Sequence, residues 1–295
     1  MKVYILTDLE GVGGVLDHPN WCRVDSPNIL KAQKLLADEV NAAIRGFSKG
    51  GFDEFVVMNG HGCGIDDKLI DSRAKIVQLE REVEDDPTYT YLMDDSFDAF
   101  AVIGQHAKAG TPYSHICHTG AFKVIDKKVN GLSVGEFGDM AIIAGEQGIP
   151  AVFASGELTF TKEAKELYPN IFTVATKEGI SPGRGDDLEQ SEYVKKNSEA
   201  IHYDHEKVLE EIEKQAFLAA VATKNDKKRF NIIELDEHKV LEMSWRQNGE
   251  EPPQEFHIEH DGTYAELRNI EHVKCWLPEI LAYREWLKNR MDNEN

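Results

Sequence analysis

The residues best able to do chemistry in this chain are a few acids and histidines, each following an apolar run of strand length. Thr7-Asp8-Leu9-Glu10-Gly11-Val12-Gly13-Gly14 ends the first such run. Asp8 and Glu10 are two apart, so on an extended segment both carboxylates project to the same side. Two like charges held that close repel each other unless a cation sits between them. The glycines invite a phosphate-cradle reading, but the G-x-G-x-x-G fingerprint fails. Leu16 stands where the third glycine belongs, and no Lys-Ser or Lys-Thr pair completes a Walker loop. The acids, rather than the glycines, carry the chemistry.

Partner ligands are expected at the ends of other strands, because open α/β sheets hold their sites beyond the carboxyl ends. The run 54–58 leads into Asn59-Gly60-His61-Gly62, and the run 99–103 into Gly104-Gln105-His106. His61 and His106 therefore arrive at one edge. Glu136, within Val134-Gly135-Glu136-Phe137-Gly138, falls at a predicted helix start. Taken singly, each is more often a capping, structural or surface residue. Together they form a set of three carboxylates and two imidazoles, the mixed N/O shell suited to zinc or a similar divalent ion. Five ligands exceed what one catalytic zinc takes from a protein, so two metals sharing a bridging carboxylate are expected. Such a pair, about 3.5–4 Å apart, activates a bridging water for attack on a carbonyl.

In the stretch 110–120, His115 and His118 are spaced by three. On a strand they face opposite sides, so at most one points into the site, as acid/base or transition-state stabiliser. His202 with His205, and His257 with His260, read as exposed and non-ligating. Neither pair forms an H-E-x-x-H pattern.

The elements that must position these residues follow from periodicity. Apolar runs at 2–7, 54–59, 97–104, 151–155 and 171–176 alternate with helical segments at 27–48, from about 134, and at 161–168. The fold class is therefore α/β, a mainly parallel sheet flanked by helices. Residues 186–225 carry no Gly or Pro and predict one or two long helices. Beyond them, residues 230–235 are strand-like, residues 249–253 form a loop, and an amphipathic helix is expected from about Ile270 to Met291. This divides the chain into a catalytic α/β domain, 1–225, and a smaller C-terminal α+β subdomain, 226–295. The acidic stretch 82–86 reads as a solvated loop.

Composition narrows the function further. A chain of 295 residues can bury a sizeable core, and 33 basic against 53 acidic residues gives 33 − 53 = −20, a field that repels nucleic acid. No apolar run approaches the length needed to cross a bilayer, so no membrane partner is expected. The first apolar segment is too short for a signal peptide, and the reading is a cytoplasmic protein. Cys22, Cys63, Cys117 and Cys275 lie far apart without a C-x-x-C pair, which predicts free thiols in a reducing compartment.

The set D-x-E-G, N-G-H-G, G-Q-H-A-K-A-G-T-P and V-G-E-F-G, in this order and strand context, resembles the zinc D-aminopeptidase family. The similarity runs from residue 1 through Ala151-Val152-Phe153-Ala154-Ser155-Gly156 and the segment 162–167, and is fainter afterwards. The resemblance implies a binuclear zinc centre, two Zn2+ per subunit, with Asp8 bridging, Glu10 and His61 on one metal, and His106 and Glu136 on the other. It implies a catalytic histidine shortly after the Thr-Pro step, for which His118 aligns best and His115 needs a small gap. It also implies a ring-like homodecamer acting on short peptides with an N-terminal D-residue. This sequence departs from the family at Gln105 and at Tyr113-Ser114, on the substrate side. The expected activity is thus a metallo-aminopeptidase or related amidohydrolase. The alternatives are a metal-dependent phosphoester hydrolase, with Lys108 the one obvious phosphate-binding candidate, and a non-catalytic, metal-stabilised oligomeric binding protein.

Overall fold

A computed structural model describes residues 1–77, 92–276 and 278. Its first strand, β1 (Lys2–Thr7), is apolar on both faces, as its neighbours β2 (Glu54–Asn59) and β4 (Ala99–Gln105) are. Strands buried on both faces belong in a parallel sheet covered by helices. With β3 (Ala74–Val77), β7 (Ala151–Glu157), β8 (Phe172–Gly179) and β9 (Ala200–His202) they build one sheet in the order β3-β2-β1-β4-β7-β8-β9. Only β9 runs antiparallel to its neighbour. The chain moves from β1 outward to β2 and β3, then returns to lay β4 on the other side of β1. That reversal is a topological switch point and opens a crevice beyond the ends of β1 and β4.

Alternate side chains of β1 feed two cores. Val3 and Ile5 face α2 (Ile29–Lys49) and α6 (His205–Asn225), meeting Leu36, Val40, Phe47, Ile212 and Ala216. These helices approach closely, since a Cβ on Gly46 would sit 2.2 Å from the carbonyl oxygen of Glu213. Tyr4 and Leu6 face the other side, where α3 (Glu136–Glu146) and α4 (Leu158–Leu167) supply Phe137, Met140, Ile143 and Phe160.

The same core takes in a second, antiparallel sheet. It joins β5 (Val124–Val129) and β6 (Leu132–Ser133) to β10 (His238–Trp245) and β11 (Gln254–Asp261), in the order β11-β10-β5-β6. Its strands come from both sides of residue 226. Val124, Val129, Leu241, Met243 and Ile258 point inward from it. After β11, Thr263 caps α7 (Tyr264–Glu271) in a capping box with Glu266, and the π-helical turn His272–Trp276 follows.

Three expectations are revised. Residues 186–225 hold not helices alone but α5 (Gln190–Lys196), the short β9, and then α6, started by Asp204 accepting from the Lys207 N–H at 3.1 Å. Residues 230–235 form no strand; Phe230 buries its ring near Phe172, centroids 6.3 Å apart, and Asn231 Nδ2 donates to Leu167 O at 3.1 Å. Among the described residues, helical structure here begins earlier than expected, with α7 at Tyr264, while most of the expected helix (277 and 279–291) and the acidic stretch 82–86 lie outside the described residues. Among the described residues no helix is long and apolar enough to cross a membrane.

Candidate metal centre

The loop after β1 is stitched onto the end of β4. The Asp8 N–H donates to Ile103 O at 2.9 Å and the Gly11 N–H to Gly104 O at 2.7 Å. A Cβ on Gly11 would lie 2.0 Å from the carbonyl oxygen of Gln105, and Gly104 sits at φ +77° against the backbone of Asp8. These glycines therefore serve the close approach of two strand ends, which only a residue without a side chain permits.

That approach gathers the acids and histidines. Asp8 Oδ1 lies 3.2 Å from His61 Nδ1, and Asp8 Oδ2 lies 3.2 Å from His106 Nε2. Each oxygen of one carboxylate thus faces a different imidazole, the disposition of a bridging ligand. Glu10 Oε2 is 2.9 Å from His61 Nδ1 but without hydrogen-bond geometry. Glu136, the first residue of α3, has Oε2 3.5 Å from His106 Nε2 and Oε1 3.7 Å from His118 Nε2. The His106 and His118 rings stack with centroids 4.0 Å apart. Asp8, Glu10 and His106 form one triad of potential ligand atoms within 4.8 Å of one another, and His106, His118 and Glu136 form another.

The three imidazoles share a hydrogen-bonding pattern. His61 Nε2 contacts Cys22 O at 2.5 Å, His106 Nδ1 contacts Ala107 O at 2.9 Å, and His118 Nδ1 contacts Ile116 O at 3.0 Å. A carbonyl can only accept, so in each ring that nitrogen donates, and the other points toward the carboxylates, where it would offer its lone pair to a bound metal. Metal-binding histidines are oriented in this way. Ile116, which holds His118, sits at φ +56°. A β-branched residue in that region is strained, by about 1–3 kcal/mol, and persists only when its surroundings fix it. Here the Ile116 N–H donates to Asn197 O at 2.8 Å.

Electrostatics describe a cluster built around positive charge. Burial and the facing Asp8 carboxylate push Glu10 up to about 7. Burial would lower His106 and His61, but the carboxylates facing them outweigh it and hold both well above the usual value. Burial, then His106, lowers His118 to about 4, leaving its ring neutral near pH 7. Both Glu10 oxygens and His106 Nε2 are buried without a hydrogen-bond partner. Unsatisfied buried carboxylate and imidazole atoms are costly, and a divalent cation satisfies both kinds. The residues present fit zinc.

Of the sequence-derived candidates, Asp8, Glu10, His61, His106, Glu136 and His118 converge. His115 does not: its Nε2 bonds to Leu16 O at 3.0 Å and its ring meets His202 edge-on at 5.7 Å. Sequence reasoning missed His18, whose Nε2 lies 3.7 Å from Glu10 Oε1 and whose ring stands edge-on to Phe122 at 5.0 Å. It belongs to the short helix α1 (His18–Trp21), and no spacing links it to a ligand. Gln105, seen only as a departure from the family, donates from Nε2 to Asp8 Oδ2 at 2.9 Å.

The chain is similar to known proteins in both sequence and fold. The family Peptidase_M55, described as D-aminopeptidase, matches residues 1–249. A D-aminopeptidase of Bacillus subtilis (strain 168) is 30% identical over 187 residues, covering 61% of this chain and 65% of that protein. The matched stretch thus spans just under two thirds of the relative's length. Among solved structures, the Zn-dependent D-aminopeptidase DppA of Bacillus subtilis, described as a self-compartmentalizing protease, superposes with a TM-score of 0.72 at 21% identity, covering 92% of this chain and 95% of that one. The α/β architecture with its small antiparallel sheet is therefore shared.

Proposed function

Because the chain belongs to the D-aminopeptidase family, we propose that it is a binuclear zinc aminopeptidase that cleaves short peptides bearing an N-terminal D-amino acid. The observation that carries this reading is the convergence of Asp8, Glu10, His61, His106 and Glu136 around buried, unpartnered ligand atoms. Asp8, Glu10, His61, His106 and Glu136 would together hold two zinc ions, and the zinc dependence of the structural relative supports that metal. That relative's description as self-compartmentalizing supports an assembly of identical subunits, a homodecamer in the form the family resemblance implies. Four free cysteines, three of them buried, fit a reducing cytoplasm.

Zinc bound in such a site supplies Lewis acidity, polarising a carbonyl oxygen and lowering the pKa of water. The protein supplies the rest. Gln105 Nε2–H orients Asp8, and the Cys22 and Ala107 carbonyls orient His61 and His106. His118 has its Nδ1–H anchored on Ile116 O, so Nε2 is free to take a proton from the attacking water and return it to the leaving amine. A phosphoester reading lacks support from Lys108, whose Nζ is turned to Ser133 O at 3.1 Å.

The test is turnover of a panel of D- and L-aminoacyl amides and dipeptides by zinc-loaded protein, with and without chelator. The reading expects hydrolysis of the D-series that chelator abolishes and zinc restores. Survival of every substrate in the panel overturns it.

A further inference from the structure

Glu136 is the candidate ligand least enclosed by its own element. It opens α3 after Gly135, which offers no side-chain cap, and its side chain is 31% exposed against 1% for Glu10. Its carboxylate accepts from the Gly120 N–H at 2.7 Å and from Gln105 Nε2 at 3.5 Å, and two arms lead from it to the C-terminal segment. One arm is α3 itself, anchored at Asp139, which lies three residues further on and on the same face without bonding Glu136. Asp139 Oδ2 takes Lys127 Nζ from β5 at 2.7 Å and Arg268 Nη2 from α7 at 3.2 Å, while Oδ1 accepts from the Tyr264 hydroxyl at 2.5 Å.

The other arm is Gly120, at φ +72°, whose N–H donates to Glu136 Oε1 at 2.7 Å. The Trp276 ring is seated against Gly120, where an added Cβ would come within 3.3 Å of it. Trp276 Nε1–H donates to Glu271 Oε1 at 3.0 Å. Glu271 Oε2 in turn takes Lys127 Nζ at 2.9 Å and the Arg268 guanidinium. Both arms therefore meet in one buried cluster of two cations and two carboxylates.

Such a cluster is a poor source of net stability, because desolvation offsets the attraction, but its directional bonds fix geometry. A cavity of about 240 Å3 runs from Asp8, Gln105 and Glu136 to Asp139 and Arg268, so the cluster also forms the wall next to the centre. Arg268, Glu271 and Trp276 lie beyond residue 249, where the family match ends. The α7 side of the clamp thus lies outside the stretch that the family model matches.

We infer that Asp139, Arg268, Glu271 and Trp276 are positioning residues that hold Glu136 in place, so that the C-terminal segment sets how tightly the His106–Glu136 side of the centre takes its metal. This rests on the zinc reading above. The test is zinc titration against a competing chelator for wild type, Asp139→Asn and Trp276→Phe, read as stoichiometry and affinity, with unfolding of the metal-free proteins followed in parallel. The inference expects two zinc equivalents in wild type, and in both variants a weakening of about tenfold or more for one equivalent alone. Trp276→Phe loses both the Nε1–H bond to Glu271 and the outer indole ring that meets Gly120, and leaves Asp139, Lys127 and Arg268 in place, so it tests the clamp even if Asp139→Asn folds poorly. Unchanged affinity for both zincs in Trp276→Phe overturns the inference. Because the readout is metal affinity, a wild type that binds two zincs but hydrolyses no peptide defeats the functional reading and leaves the clamp standing.

Discussion

At the residue scale, the two histidines after the Thr-Pro step have opposite fates. His118 is locked by the strained Ile116 carbonyl with Nε2 facing Glu136, whereas His115 spends Nε2 on Leu16. His118→Ala is therefore expected to lower kcat by about 10²–10⁴, the usual worth of a positioned proton-transfer group, with zinc content retained. His115→Gln is expected to leave kcat near wild type. Steady-state kinetics with metal analysis checks both, and loss of one zinc in His118→Ala would make it a ligand instead. The convergence of Asp8, Glu10, His61, His106 and Glu136 was legible in the sequence because each follows a buried parallel strand or opens a helix, where spacing alone carries information. His18 was not legible. It reaches Glu10 through the packing of a short helix against Phe122, which leaves no pattern in the chain.

At the scale of elements, the parallel strands were legible for the same reason. An unbroken apolar run flanked by glycines has few other readings, and the bounds of β1, β2 and β4 follow those runs closely. The antiparallel sheet was not legible, because β10 pairs with β5 from more than a hundred residues away and neither strand announces its partner. α2 offers a test of its burial. Glu39 is fully buried there, with Oε1 accepting from the Gly13 N–H at 2.9 Å and Oε2 unpartnered. Burial raises it from the usual 4.5 to about 8, against the pull of Gly13 and Lys177. The folded state therefore holds this proton more tightly than the unfolded chain does. Its stabilising contribution is full below about pH 4.5 and is lost as the pH rises toward 8. Glu39→Gln keeps the Gly13 contact and has no proton to lose. Urea unfolding at pH 5 and pH 8 should show wild type losing more stability than the variant over that interval.

At the scale of the molecule, one sheet carries the candidate centre at its switch point, and α7 closes the wall beside Glu136 through Arg268. A net charge of −20 keeps separate chains apart at low salt. Assembly of identical subunits must overcome that repulsion, so light scattering after gel filtration is expected to give a mass several times 33.2 kDa, more readily at moderate salt. A monomer under all salt conditions would remove the oligomer from the account. The central claim is that Asp8, Glu10, His61, His106 and Glu136 grip a pair of cations. Anomalous diffraction at the zinc edge from crystals of zinc-loaded protein tests it most directly. The account predicts two peaks about 3.5–4 Å apart, flanking the Asp8 carboxylate. Zinc bound elsewhere, or no peak among these side chains, would contradict it.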